Sequence, residues 1–132
     1  MEDFQNIKFV KTGSGNASVF WGHGWGQSHK SLLPLTQSLE KKAQHYALDF
    51  PGFGESDAPE EVWGTADYAD ACAELIRAQS DEPVFWVGHS FGCRVGLQLA
   101  ARHPDLIAGL CLVAGAGLPT VTLKKVVCFF IN

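Results

Sequence analysis

A serine between two glycines forms a pattern suited to nucleophilic chemistry. Residues 88–92 are Gly88-His89-Ser90-Phe91-Gly92, which matches G-x-S-x-G, and they lie between an apolar run and a helical pattern. In that setting a tight, strained turn holds the serine at the carboxyl edge of a sheet, above the positive end of a helix dipole. The flanking glycines let strand and helix approach without a Cβ clash. We therefore predict that Ser90 is a nucleophile for acyl chemistry; the alternative is an ordinary glycine-rich turn.

A second glycine-rich segment, His23-Gly24-Trp25-Gly26, follows an earlier apolar run. Glycines there let backbone N–H groups turn toward a ligand, so the segment can supply one donor of an oxyanion hole, with the N–H of Phe91 as the other. His23, Gly24 and His89 are candidates for lining the pocket. For His23 we favour a hydrogen bond inside its own loop over proton transfer. For His89 we favour a pocket or packing role over that of general base.

The elements that would position these residues alternate short apolar runs with longer amphipathic segments. Helices are predicted after Ser31, at residues 65–79 and at 92–103, with Ser31 as the cap of the first and Leu32, Leu35 and Leu39 on one of its faces. The order of two strands, then helix and strand three times, predicts an α/β fold with a mostly parallel sheet and helices on both faces. The predicted strands are at residues 7–10, 17–21, 46–50, 84–87 and 106–113.

Composition and charge exclude several classes of partner. The chain has 132 residues, 46% of them hydrophobic, and a formal charge of −4, so it lacks a basic surface for nucleic acid or anionic membranes. The longest uncharged stretch, residues 106–123, is broken by glycines and a proline, which argues against a membrane span. The acidic N-terminus does not resemble a secretory leader, so a cytoplasmic location is predicted. The four cysteines have no zinc-ligand spacing and are expected to be reduced thiols; no metal or cofactor is implied.

Three motifs occur in the order and approximate spacing of a known family. They are residues 23–26, the Gly/Pro-rich segment 49–56 and residues 88–92. Through these motifs, residues 7–119 resemble the α/β-hydrolase superfamily, in particular its small carboxylesterase-like serine hydrolases. The segment 49–56 corresponds to the family's structural loop beside the active site and is assigned no catalytic role.

The resemblance implies a site and a class of substrate. Ser90 corresponds to the nucleophile, and Trp25 and Phe91 correspond to the residues whose backbone N–H groups bind the oxyanion. The complete family fold would hydrolyse a carboxylic ester or a related acyl bond in a small molecule. An acyltransferase on the same fold, which passes the acyl group to an alcohol or thiol, is an alternative that the motifs leave open.

The other two members of a catalytic triad are missing from the sequence. A serine needs a histidine to accept its proton and an acid to orient that histidine, and in this family the acid and then the histidine follow the serine. After Ser90 the chain has only His103 and Asp105, in the reverse order and about 16 Å away at the far end of a helix. The loop at residues 114–119 contains no acid. We therefore expect residues 1–132 to be a partial, truncated α/β-hydrolase domain that lacks turnover; a non-catalytic remnant or binding module is the alternative.

The end of the chain carries two further expectations. If the strand at residues 106–113 is the last of the sheet, it leaves an exposed apolar edge, which predicts self-association. The tail, residues 120–132, is unassigned. Its apolar run at residues 126–131 has no turn or cap, and it fits either the start of a truncated lid helix or a reading-frame scar.

Overall fold

The computed structural model describes residues 1–114 together with the backbone of residues 126–130. Helices and strands alternate along most of this part of the chain, with short 3₁₀ turns at His29–Ser31 and Pro104–Leu106. The helices are α1 (Leu33–Ser38), α2 (Thr65–Gln79) and α3 (Phe91–Arg102). The strands are β1 (Glu2–Phe4), β2 (Ile7–Gly13), β3 (Ser18–Gly22), β4 (Gln44–Asp49), β5 (Val84–His89), β6 (Ile107–Val113) and β7 (Val126–Phe130).

One sheet contains these strands in the order β1-β2-β4-β3-β5-β6-β7. Its four central strands, β4, β3, β5 and β6, are parallel to their neighbours. The outer strands β1, β2 and β7 are added in antiparallel pairings. Parallel neighbours need long crossover connections, and α1, α2 and α3 lie in those connections. The prediction of an α/β fold with helices packed on a central parallel sheet is therefore confirmed.

Helices lie on both faces of the sheet. The face carrying Phe20 and Trp86 packs against α3 and α2 and forms the main core, in which both rings are fully buried. The opposite face carries α1, which is tied to the sheet by His45. The Nδ1 atom of His45 accepts from Trp21 Nε1 (3.0 Å), so its Nε2 donates to the carbonyl oxygen of Leu39 (2.8 Å). Within the described residues, no helix is both long and apolar enough to cross a membrane.

The strand register brings the sequence motifs to one edge of the sheet. Gly22, the last residue of β3, is paired with Gly88 near the end of β5. The loop after β3 and the turn after β5 therefore leave the sheet side by side. β4 ends nearby at Asp49, where the third motif begins. Because the carboxyl ends of parallel strands meet at the same edge, residues far apart in sequence share one site there.

The first helix differs from its prediction. Ser28, and not Ser31, provides a cap, because its Oγ accepts a backbone N–H at the start of the 3₁₀ turn that precedes α1. Of the predicted apolar stripe only Leu32 is buried, whereas Leu35 and Leu39 are 49% and 40% exposed. α1 has only six residues, and Leu35 and Leu39 line an apolar cavity on this face of the sheet that the described residues leave open.

The prediction that residues 106–113 form an exposed sheet edge was wrong. β6 pairs with β5 on one side and with β7 on the other, so its backbone is hydrogen-bonded on both sides. β7 lies in the tail that the sequence left unassigned, and its backbone is a strand rather than the start of a helix. Self-association stays a prediction, but residues 106–113 do not form a free edge that could carry it. Of the loop and tail discussed above, residues 115–125 and 131–132 lie outside the described residues.

Candidate active site

Ser90 occupies the turn between β5 and α3 in a backbone conformation that few residues adopt. Its φ is 52° and its ψ is −109°, and such a conformation in a residue other than glycine costs about 1–3 kcal/mol. The Ser90 N–H donates to the carbonyl oxygen of Val113 at the end of β6 (3.1 Å), which holds the turn against the neighbouring strand. The structure thus has a strained turn at the serine, at the edge of the sheet where the sequence places it.

Two glycines allow α3 to begin this close to the sheet. A Cβ atom on Gly88 would lie within 3.0 Å of the backbone of Gly92, and a Cβ atom on Gly92 would lie within 3.0 Å of the carbonyl group of Gly22. Trp86 also holds the start of α3 against the sheet, because its Nε1 donates to the carbonyl oxygen of Gly92 (2.9 Å). The start of α3 is therefore wedged between β3 and β5, and this packing fixes the position of Ser90.

The buried ring of His23 holds the loop after β3 in place through hydrogen bonds. Its side chain is fully buried, and its Nε2 accepts from the backbone N–H of Phe50 (3.0 Å). The ring proton is therefore on Nδ1, which donates to the carbonyl oxygen of Gly24 (2.7 Å). Burial lowers the pKa of His23, which favours this neutral form. Both nitrogens are engaged, so the geometry favours the hydrogen-bonded loop role over proton transfer.

Gln27 links the loop after β3 to the turn that carries Ser90. Its Oε1 accepts from the backbone N–H of Gly24 (3.2 Å) and from Nδ1 of His89 (3.3 Å). The backbone N–H of Gln27 donates to the carbonyl oxygen of Gly24 (3.1 Å). The side chain of His89 therefore reaches the glycine-rich loop, and it hydrogen-bonds Gln27 there.

Trp25, Phe53 and Phe91 form an aromatic cluster next to Ser90. The ring of Trp25 contacts the rings of Phe53 and Phe91 edge-on, with centroids 4.7 and 5.1 Å apart, and remains 65% exposed. Trp25, Phe91, Ser90 and Arg94 line a cavity of about 350 Å³. The N–H of Phe91, the first residue of α3, has no partner inside the helix. The Trp25 N–H has no hydrogen-bond partner among the residues that the structure describes. Ser90 thus lies at an open cavity together with Trp25 and Phe91, the two residues predicted to provide oxyanion donors.

The sequence of this chain matches a known family. A model of the alpha/beta hydrolase fold matches residues 19–126, which is most of the chain. The chain belongs to the α/β-hydrolase family. A curated relative is the pimeloyl-[acyl-carrier protein] methyl ester esterase of Neisseria meningitidis, which is 38% identical over 96 residues. That match covers 73% of this chain and 36% of the relative.

Solved structures of other α/β hydrolases superpose on the same region. A thermophilic esterase from Thermogutta terrifontis, solved with malate bound, has a TM-score of 0.80 at 26% identity, over 88% of this chain and 43% of the esterase. A bacterial membrane phospholipase A has a TM-score of 0.81 at 28% identity, over 89% and 38% of the two chains. An E-2-(acetamidomethylene)succinate hydrolase has a TM-score of 0.73 at 31% identity, over 87% and 41%. This chain spans less than half the length of each of these proteins.

The loop after β4 of this α/β hydrolase is organised by a buried carboxylate. Oδ1 of Asp49 accepts from both the backbone N–H (2.7 Å) and Nδ1 (2.8 Å) of His29, and Oδ2 accepts from the N–H of Glu55 (2.9 Å). Gly54 adopts φ +54° against the carboxylate, and a Cβ atom there would collide with it. Ser56 closes the loop, since its Oγ donates to the carbonyl oxygen of Asp49 (2.7 Å). This geometry fits a structural role for the segment.

The Asp49→Asn variant is expected to lose about 2 kcal/mol of its free energy of unfolding. Asparagine keeps the size of the side chain but has one acceptor oxygen, so its NH₂ group must face the N–H of either His29 or Glu55. Urea unfolding measures the loss. Asp57→Asn in the same loop is the matched control, because Asp57 is exposed and only its backbone is hydrogen-bonded. Equal stability of the Asp49→Asn variant and the wild type would contradict the structural role.

A general base for Ser90 is absent from the described residues. His103, the histidine that follows Ser90 in sequence, lies at the far end of α3, where its Nε2 donates to Asp70 (2.7 Å). Arg102 forms two further hydrogen bonds to Asp70 (2.9 and 2.7 Å), and these, together with the one from His103, lower the pKa of Asp70 to about 2. This network joins α2 to α3. The Ser90 Oγ makes no hydrogen bond to any residue that the structure describes.

Sequence reasoning missed two residues at the site, Gln27 and Arg94. Gln27 follows Gly24 by three residues, a spacing compatible with a turn, but nothing in the sequence shows that it reaches His89. Arg94 follows Ser90 by four residues on α3, so the helical period was a usable signal for placing both on one side of the helix. Within residues 1–114, no group of three or more His, Cys, Asp or Glu residues could hold a metal ion.

Proposed function

We propose that this chain supplies the nucleophile and the oxyanion hole of a serine hydrolase that cleaves carboxylic esters. The observation that carries the proposal is the strained turn at Ser90, which opens into a cavity that Trp25 and Phe91 also line. The N–H of Phe91 at the start of α3, together with the N–H of Trp25 in the loop after β3, suits the negative charge that develops on a carbonyl oxygen during acyl transfer. The Neisseria meningitidis relative, a methyl ester esterase, supports the choice of ester over other acyl bonds.

The proposed reaction proceeds through an acyl-enzyme. The Oγ of Ser90 attacks the ester carbonyl carbon while a histidine accepts its proton, and the resulting oxyanion accepts hydrogen bonds from Trp25 and Phe91. The tetrahedral intermediate then expels the alcohol, which takes the proton from the histidine. Water attacks the acyl-enzyme by the same route and releases the carboxylic acid. No histidine among the described residues hydrogen-bonds the Ser90 Oγ to take this part.

For the 132-residue chain alone we expect no turnover. Its hydrolysis of a p-nitrophenyl short-chain ester should be no faster than that of its Ser90→Ala variant, because no base among the described residues hydrogen-bonds the Ser90 Oγ. A clear Ser90-dependent rate would contradict this expectation.

A chimera tests the proposed function directly. Residues 1–114 are joined to the part of the Neisseria meningitidis relative that follows its matching region, which supplies a second half of the same family. We expect the chimera to hydrolyse p-nitrophenyl butyrate and to react with a fluorophosphonate probe, with the added mass on the peptide containing Ser90. The 132-residue chain should not be labelled. A folded, hydrolytically active chimera labelled at another residue would overturn the proposal, as would a folded chimera with no reaction.

A further inference from the structure

Arg94 is the charged residue that lines the cavity of Ser90. We propose that Arg94 binds a carboxylate of the substrate, so that the site prefers esters that carry a second, ionised carboxyl group. That the substrate is an ester rests on the proposed function. That it carries a carboxylate is inferred from Arg94.

The position of Arg94 on α3 directs its side chain toward Ser90. It follows Ser90 by four residues and therefore lies on the same side of the helix, one turn further along. Cα–Cβ bonds in a helix tilt toward the N-terminus, so the guanidinium extends back over the first turn, where Ser90 and Phe91 are found. The shared cavity of about 350 Å³ agrees with this direction.

The charge of Arg94 is not neutralised by the residues that the structure describes. Arg77 pairs with Glu74 and Arg102 pairs with Asp70, but the side chain of Arg94 makes no ion pair or hydrogen bond in the described part of the chain. The first turn of α3 contains no acid, and no acid among the described residues lines the cavity. The guanidinium, the N-terminal end of the helix dipole and two backbone N–H groups therefore all favour negative charge in one small space.

The shared cavity limits the size of the substrate. At about 350 Å³ it suits a short diacid monoester, in which a few methylene groups separate the ester from the carboxylate. A guanidinium binds a carboxylate through two parallel hydrogen bonds, which fixes orientation as well as position. A monoester of glutaric acid could thus place its ester carbonyl at Ser90 and its carboxylate at Arg94.

Binding to the 132-residue chain tests the inference without any need for turnover. The chain is titrated with methyl hydrogen glutarate, and with dimethyl glutarate as the uncharged control, while the backbone amide signals of Trp25 and Phe91 are followed by NMR. We expect the Arg94→Gln variant to bind the monoester about tenfold more weakly than the wild type. Binding of the diester should be the same in both. Arg77→Gln, which removes the same charge from the end of α2, should change neither.

Three results would overturn the inference. They are equal affinity of the wild type and Arg94→Gln for the monoester, equal weakening by Arg77→Gln, and no binding of the monoester by the wild type. Failure of the proposed function is a separate result, because it would show as an unlabelled Ser90 in the chimera. Arg94-dependent binding of the monoester does not require Ser90 to react.

Discussion

The Gly92→Ala variant is expected to lose about 3 kcal/mol or more of its free energy of unfolding. In an exposed helix the same change stabilises by about 1 kcal/mol, because alanine has the better helix propensity. At Gly92 the added Cβ would collide with the carbonyl group of Gly22. That group belongs to the backbone of β3 and cannot rotate away as a flexible side chain would. Relief of the collision therefore requires α3 to move off the sheet, which also removes the hydrogen bond from Trp86.

Urea unfolding followed by circular dichroism measures this effect. Gly64→Ala is the matched control, since Gly64 has a φ of −92° and a Cβ atom there would have only an ordinary contact, 3.8 Å from Asp67 Oδ2. We expect the control to remain within about 1 kcal/mol of the wild type. If Gly92→Ala unfolds at the same urea concentration as the wild type, the close approach of α3 and β3 does not exist in solution.

Ser90→Ala in the chimera is expected to lower kcat/KM for p-nitrophenyl butyrate by about 10³-fold or more. Alanine keeps the turn, the cavity and both backbone donors, but it removes the oxygen that forms the acyl-enzyme. The residual rate then reflects binding and oxyanion stabilisation alone. Circular dichroism and urea unfolding of the variant establish that the loss is one of chemistry and not of folding.

Ser38→Ala is the matched control for that measurement. Ser38 is an exposed serine at the end of α1, and its Oγ donates only to the carbonyl oxygen of Leu35 (2.8 Å). We expect kcat/KM of this variant to stay within about twofold of the unsubstituted chimera. A Ser90→Ala chimera that keeps more than about a tenth of the activity would exclude Ser90 as the nucleophile, because loss of a triad nucleophile costs far more.

Much of the fold and part of the site were predictable because their determinants are local. The turn at residues 88–92 carries its own glycines beside the serine, and it lies between a strand and a helix that each have a clear hydrophobic period. The same holds for the alternation of strands and helices, which leads to the parallel centre of the sheet. The sequence also favoured a hydrogen-bonding role for His23. A histidine that follows an apolar strand and precedes glycines can hydrogen-bond the backbone of its own loop.

The features that sequence reasoning missed depend on contacts between distant residues. Asp49 and His29 are 20 residues apart, and Gln27 and His89 are 62 apart; no periodicity or motif relates either pair. The pairing of β7 with β6 is of the same kind, because the tail has a plain apolar run that fits a helix or a strand until a partner is present. The prediction of one buried face formed by Leu32, Leu35 and Leu39 was wrong for another reason. The spacing of these leucines is helical, but α1 ends at Ser38, before the last of them.

The two halves of the site differ in how far apart their contacts lie along the chain, and this has a consequence for folding. Two of the hydrogen bonds that hold the start of α3 join residues only five or six apart, from Trp86 to Gly92 and from Cys93 to Gly88. The loop after β3 is shaped by bonds that close segments of 27 and 62 residues. Longer closures cost more chain entropy, so this loop acquires its shape only when β3, β4 and β5 are already aligned. A partly folded chain would thus present the serine turn with the N–H of Phe91 but without the N–H of Trp25 in place, and the proposed oxyanion hole would be incomplete until the sheet has formed.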